Sequence, residues 1–288
     1  MTRASLRDWG LSGEGLACTA PLPLLGPETV AFLAKLAERL DREVGFSRET
    51  PARIRGVQHL APEVQSLLVD TGVFDRLSAE AGEPLRLHPS AHFGCSFNRT
   101  RDSSEGLADP WHLDAAPYTA VLLLSPPGPG GELCIYKGEP KRLWHSLDLG
   151  KYPGERHVHV VPFGNSGEVV LFQGRRLAHA VRALRGEGAE RLTLAIGLYS
   201  PRHPDRGLLP GGEAPGDEEL FWRVEALRAK VLASLDRLRR RVGWVANPAI
   251  LPDAARQLRT LLDALGMAEQ IEVTGEKPVP ASRSTGQG

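Results

Sequence analysis

The 288-residue chain carries 35 Lys and Arg against 35 Asp and Glu, so its formal charge is zero and no overall field draws it to nucleic acid or an anionic membrane. Cys18, Cys95 and Cys134 are odd in number and widely spaced, which excludes a disulfide framework or a zinc ribbon and leaves buried thiols. Met1 to Ala20 holds Arg3, Arg7, Asp8 and Glu14 and no apolar run long enough for a signal or a membrane span, so the expected protein is cytosolic, with a small, charged organic molecule as its partner.

Pro27 suits a first helical position, and Val30, Leu33, Leu36, Ala37 and Leu40 recur at helical spacing through Arg42. Pro62 opens a second helical pattern, Val64, Leu67, Leu68, then Val73, Phe74 and Leu77, with Gly72 expected to kink or divide it. Past Gly82 the pattern changes to short extended runs. Leu85 to Thr100, Tyr118 to Ser125, Glu132 to Lys137, His157 to Pro162, Glu168 to Gln173 and Arg191 to Tyr199 read as strands between Gly- and Pro-rich turns, the mark of a sandwich or barrel. In the last of these, Leu192, Leu194, Ile196 and Leu198 alternate with Arg191, Thr193, Ala195, Gly197 and Tyr199. The first set predicts a packed face; the second lines a cavity, or solvent if the strand lies at the surface.

Beyond Pro201 a polar loop precedes a long amphipathic helix carrying Leu220, Val224, Leu227, Val231, Leu235, Leu238 and Val242, whose stripe packs on the sheets or forms a homodimer seam. A shorter helix from Pro252 stops at Gly266. The expected organisation is therefore one mainly β domain over 1–270, with helical flanks at 27–80 and 217–266, a β core at about 85–201 and a disordered tail at 271–288.

The chemistry concentrates in His112, Asp114 and His179. Residues one and three of an extended segment share a side, so His112 and Asp114 can bind one ion, and His179 can return to it on an adjacent strand. Two imidazoles and one carboxylate suit a facial Fe(II) site with open positions, although Zn2+ accepts the same set. Arg191 then offers a guanidinium to the distal carboxylate of a 2-oxo acid, with Arg182 as a reserve that an odd offset from His179 turns to the other face. His157 and His159 alternate without a nearby acid and read as exposed strand histidines. Arg99, Arg101, Arg175 and Arg176 read as solvated loop arginines, while Trp144 and His145 occupy an insertion that can serve as a lid.

Trp111-His112-Leu113-Asp114, Gly130-Gly131-Glu132-Leu133, His179-Ala180-Val181 and Arg191-Leu192-Thr193, taken in order, resemble the Fe(II)/2-oxoglutarate-dependent dioxygenase superfamily. The resemblance implies a double-stranded β-helix, or jelly roll, with Fe(II) on His112, Asp114 and His179. It also implies 2-oxoglutarate on Arg191 and Thr193, with Asn98 assisting, and O2 as the oxidant. The activity it implies is oxidation of a C–H bond of a small molecule such as an amino acid or biosynthetic intermediate, by hydroxylation, desaturation or cyclisation, with release of succinate and CO2. The same chemistry on a protein-bound or carrier-bound residue is the variant reading. Asp114 stands where the related halogenases carry a small residue, which favours oxygenation.

Overall fold

The computed structural model describes residues 3–202 except 48–50, 89, 91, 102–105, 126–128 and 187. These residues belong to one compact unit. The expected helices at 217–266, the dimer seam on them and the tail at 271–288 lie outside the described residues. The strands are β1 (Arg3–Ser5), β2 (Leu16–Thr19), β3 (Leu22–Pro23), β4 (Ala52–Arg55), β5 (Arg86–Leu87), β6 (Cys95–Arg101), β7 (Leu107–His112), β8 (Tyr118–Leu123), β9 (Leu133–Tyr136), β10 (Val158–Val160), β11 (Glu168–Phe172), β12 (His179–Arg182) and β13 (Glu190–Tyr199). The helices are α1 (Pro27–Glu43), α2 (Val57–Leu60), α3 (Glu63–Asp70), α4 (Val73–Ala81) and α5 (Pro140–Asp148). None of them is long and apolar enough to cross a membrane.

Two antiparallel sheets carry the fold. The larger has nine strands on the path β1-β2-β11-β8-β13-β6-β4, with β3 on β11 and β5 on β13; the smaller has four, in the order β10-β9-β12-β7. β4 and β7 are therefore edge strands. Proline at an edge costs no ladder bond, which is why Pro110 is accommodated inside β7. Leu107 to His112 is extended throughout, so the strand runs up to its terminal histidine. β7 pairs with β12 so that His112 lies opposite His179.

Strand alternation divides the apolar residues between two layers. Leu192, Leu194, Ile196 and Leu198 of β13, with Ala120 and Leu122 of β8, pack against Val30, Leu33, Leu36, Ala37 and Leu40 of α1. The opposite faces supply a second core between the sheets, where Val170 and Phe172 meet Leu133, Ile135 and Val181. α1 follows its expected stripe, and Pro27 begins it at a position where an N–H has no helical partner. Gly72, with φ of +67°, caps α4 and separates it from α3.

The expected single strand over Leu85 to Thr100 is two strands, β5 and β6. The backbone turns between them, Gly94 N–H donating to the Ser90 carbonyl at 2.9 Å, and the buried Gln58 side chain ties the turn. Its amide donates to the Ser90 carbonyl and its oxygen accepts the Cys95 N–H, each at 2.8 Å. Gly197 of β13 allows this turn to approach: an added Cβ would lie 1.8 Å from the Phe93 carbonyl oxygen. All three cysteines are buried free thiols.

Candidate metal centre

His112 ends β7, His179 opens β12, and their paired register brings the rings to 4.2 Å between centroids. Asp114 lies beyond the end of β7, so strand alternation does not deliver it. Its backbone N–H donates to the Gly174 carbonyl at 2.9 Å, which anchors it to the turn that follows β11. The carboxylate then stands between the imidazoles: His112 Nε2 is 3.5 Å from Oδ1 and His179 Nε2 is 3.4 Å from Oδ2. One ligand atom from each residue fits within a 4.8 Å cluster, a geometry that can hold a metal ion and that no other group of His, Cys, Asp and Glu among the described residues reaches.

The outer nitrogens are committed elsewhere. His112 Nδ1 is 2.7 Å from the Pro110 carbonyl and His179 Nδ1 is 3.0 Å from the Leu177 carbonyl. An N–H donated to each carbonyl leaves both Nε2 lone pairs facing the shared centre, the orientation a metal ligand needs. The Thr119 hydroxyl donates to Asp114 Oδ2 and fixes the carboxylate rotamer.

Charge and burial compete here. Burial opposes the charged form of His112, but the hydrogen bond and charge of Asp114, with Asp109 behind, push its pKa up to about 9. Burial likewise opposes the Asp114 anion, yet the His179 charge and the His112 and His179 hydrogen bonds hold its pKa well below the usual range. The carboxylate between the imidazoles draws positive charge to this point, a proton on His112 or a metal ion in its place.

Arg191, Thr193 and Asn98 line the same cavity of about 330 Å³ as the triad. Arg191 and Thr193 project from the inner face of β13, and Asn98 on β6 is directly opposite Thr193. The Ser96 hydroxyl donates to Asn98 Oδ1 at 3.1 Å. Arg191 is only 6% exposed, and its buried Nη2 has no hydrogen-bond partner. Burial lowers its pKa to about 10 against the opposing charge of Glu132. A buried guanidinium nitrogen without an acceptor is costly unless an anion completes it.

The remaining candidates fall elsewhere. Arg182 lines a separate groove with Glu132, Cys134 and Tyr152. Arg99 is buried rather than solvated: it pairs with Asp41 and Glu190 and lies over the Phe46 ring, while Arg101 reaches the same Glu190. Arg176 donates to the Ser12 carbonyl. His159 is tilted against Trp9 at 5.4 Å, and His157 Nε2 accepts from Arg156. Trp144 and His145 belong to α5, where Trp144 packs with Trp111 and Leu147 against Tyr136, Leu143 and Ala178. Sequence reasoning missed Thr119 and Gly174, which hold Asp114, and Arg53, Arg55 and His92, which also line the cavity. Only the Arg-Ile-Arg alternation of 53–55 could have flagged the latter group.

No family profile and no curated protein matches the sequence. Among solved structures, the non-heme alpha ketoglutarate dependent carbocyclase SnoK from nogalamycin biosynthesis is similar at a TM-score of 0.52 and 15% identity, over 70% of this chain and 90% of SnoK. The chain has the fold of that non-heme enzyme. Further similar structures include the epimerase SnoN from the same biosynthesis, at a TM-score of 0.48 and 19% identity over 70% of this chain and 91% of SnoN. HygX from Streptomyces hygroscopicus with iron bound has a TM-score of 0.46 and 19% identity, over 64% of this chain and 82% of HygX. SnoK shares the arrangement of the fold rather than the sequence, so the roles of individual residues here are argued from their own geometry.

Proposed function

We propose that the chain is an Fe(II)- and 2-oxoglutarate-dependent oxygenase built on a jelly-roll core, acting on a small molecule such as an amino acid or biosynthetic intermediate. His112, Asp114 and His179 hold Fe(II); Arg191 and Thr193 hold the distal carboxylate of 2-oxoglutarate, with Asn98 beside them. The carrying observation is the unpartnered, buried Arg191 Nη2 in the cavity that also contains two imidazoles and a carboxylate. The donor set suits Fe(II): His112, Asp114 and His179 would hold the ion with two imidazoles and one carboxylate, a set that would leave room for a cosubstrate. When bound, iron with 2-oxoglutarate and O2 supplies the oxidising power, with release of succinate and CO2.

The chain's own residues provide ligation, orientation and shelter. Backbone carbonyls at Pro110 and Leu177 fix the imidazole tautomers. Arg191 offers a dicarboxylate a cation in a low-dielectric wall, where an ion pair is screened little. Val121, Leu133 and Val181 complete that part of the lining with apolar surface. A zinc site uses the same triad but has no task for Arg191. The chemistry of SnoK, a carbocyclase acting within nogalamycin biosynthesis, supports a small biosynthetic substrate over a protein.

The test is calorimetric binding of 2-oxoglutarate to the Ni(II)-loaded protein, followed by succinate release with Fe(II). Wild-type protein is expected to bind and turn over 2-oxoglutarate. Arg191→Ala should weaken binding roughly a hundredfold, the cost of breaking a buried charge pair. His179→Ala should lose metal and succinate release together. A 2-oxoglutarate affinity indifferent to Arg191→Ala, or succinate release in His179→Ala, would refute the assignment.

A further inference from the structure

His112 is the least enclosed of the three candidate ligands. His179 packs against the Phe172 ring at 4.8 Å with its side chain 6% exposed, and Asp114 is held by Thr119 and Gly174. His112 instead closes an edge strand, its side chain 33% exposed. Packing does least for that ring, so its aim depends on polar contacts.

An irregularity in β7 supplies them. His112 and Asp109 stand opposite His179 and Val181 of β12, so an interval of three residues on one strand faces an interval of two on the other, a β-bulge. Pro110, with no N–H to pair, lies within it. Regular alternation would turn Asp109 and His112 to opposite faces. The bulge brings both into the cavity and leaves Trp111 in the groove on the other side of the sheet. Asp109 Oδ1 then lies 3.7 Å from His112 Nδ1, beside the Pro110 carbonyl at 2.7 Å.

The other oxygen of Asp109 is committed across the cavity. Arg53 Nη2, on β4, donates to Asp109 Oδ2 at 2.8 Å. β4 pairs with β6 at the edge of the larger sheet and β7 pairs with β12 at the edge of the smaller, so among the described residues no ladder joins these two edges. Both side chains are largely buried, where a charge pair is screened less than at an open surface. One carboxylate thus faces a guanidinium with one oxygen and a ligand imidazole with the other.

We propose that Asp109, anchored across the cavity by Arg53, is a positioning residue for His112. The proposal rests on the reading of His112, Asp114 and His179 as a metal centre. A carboxylate beside the outer nitrogen of a ligand imidazole favours the tautomer that leaves Nε2 open and makes the ring a stronger donor. Arg53 confines that carboxylate to one orientation, so the larger sheet contributes to metal affinity without supplying a ligand.

The test is calorimetric titration of the full chain with Ni(II), in wild-type protein, Asp109→Asn, Arg53→Gln, their double variant and Arg53→Lys, with the thermal midpoint of each metal-free protein measured alongside. Asp109→Asn should lower Ni(II) affinity about tenfold, as for other partners of a ligand histidine. Arg53→Gln removes a positive charge, which by itself favours a nearby cation. A fall of roughly threefold or more in that variant therefore reports a loosened Asp109, and Arg53→Lys should recover part of it. Through-space effects of two charges on one ion add, whereas those of an anchor and the group it anchors do not, so Asp109→Asn should matter less in the Arg53→Gln background than in wild-type protein. The proposal is overturned by unchanged affinity in Asp109→Asn, by unchanged or raised affinity in Arg53→Gln, or by additive effects in the double variant. Midpoints that fall while Ni(II) affinity holds would mark a pair that only staples the sheets. If Asp109→Asn does not fold, the direction of the Arg53→Gln effect and its recovery in Arg53→Lys decide. Wild-type protein that binds no Ni(II) would remove the metal centre itself, and the proposal with it.

Discussion

Gly174 has no room for a side chain: an added Cβ would lie 2.3 Å from Thr119 Oγ1 and 2.6 Å from Asp114 Oδ2. Gly174→Ala must therefore displace the carboxylate or its supporting hydroxyl. Its metal affinity, measured by titration with Ni(II), is expected to fall roughly 10- to 100-fold, the usual cost of disturbing groups that orient a ligand. Two histidines shape the pH response in opposite directions. His112 keeps its proton in the folded, metal-free protein up to about pH 9 against an ordinary 6.5, so its stabilisation is complete below 6.5 and lost as pH rises through 9. His92, depressed from 6.5 to about 3, is neutral when folded, so stability falls as pH drops below 6.5 and the unfolded chain takes up the proton. The thermal midpoint of metal-free protein should peak near pH 6.5, and Ni(II), which displaces the His112 proton, should flatten the alkaline limb. An unchanged alkaline limb with Ni(II) would contradict that role for His112. The ligand types were readable from their chemistry. Thr119 and Gly174 were not, because their importance lies in distances to Asp114 that neither residue type announces.

Along β13, adjacent residues answer to different demands. Leu194 is fully buried in the helix-side core, so Leu194→Ala should cost about 2–5 kcal/mol in denaturant unfolding while leaving 2-oxoglutarate affinity intact. Thr193→Val keeps the shape and should do the reverse, weakening 2-oxoglutarate with little change in stability. This division was legible because the nine residues from Arg191 to Tyr199 alternate and specify both faces. α1 was legible for the same reason, through its five buried positions at helical spacing. β4 is four residues long, too short for a period to show, and its identity as a strand comes from its pairing with β6, distant in sequence. Pro110 concealed β7, since only its place at a sheet edge makes proline acceptable there.

At the scale of the molecule, the two sheets divide the labour. The smaller supplies His112 and His179, the larger supplies Arg191 and Thr193, and the Arg53–Asp109 pair joins their free edges with side chains 24% and 15% exposed. In the proposed centre a metal with 2-oxoglutarate would therefore span both sheets. Ni(II) should raise the unfolding temperature, 2-oxoglutarate should raise it further, and Arg191→Ala should abolish the second increment alone, each following from preferential binding to the folded state. The β-rich character was evident in the sequence; which strand joins which sheet was not. The ligand set is also lopsided, with the His179 side chain 6% exposed and that of His112 33%. An ion seated here would meet solvent on the His112 side. A chelator would reach a loaded centre from the His112 side, so the rate at which it strips the ion is expected to respond to substitutions beside that ring sooner than to substitutions around His179.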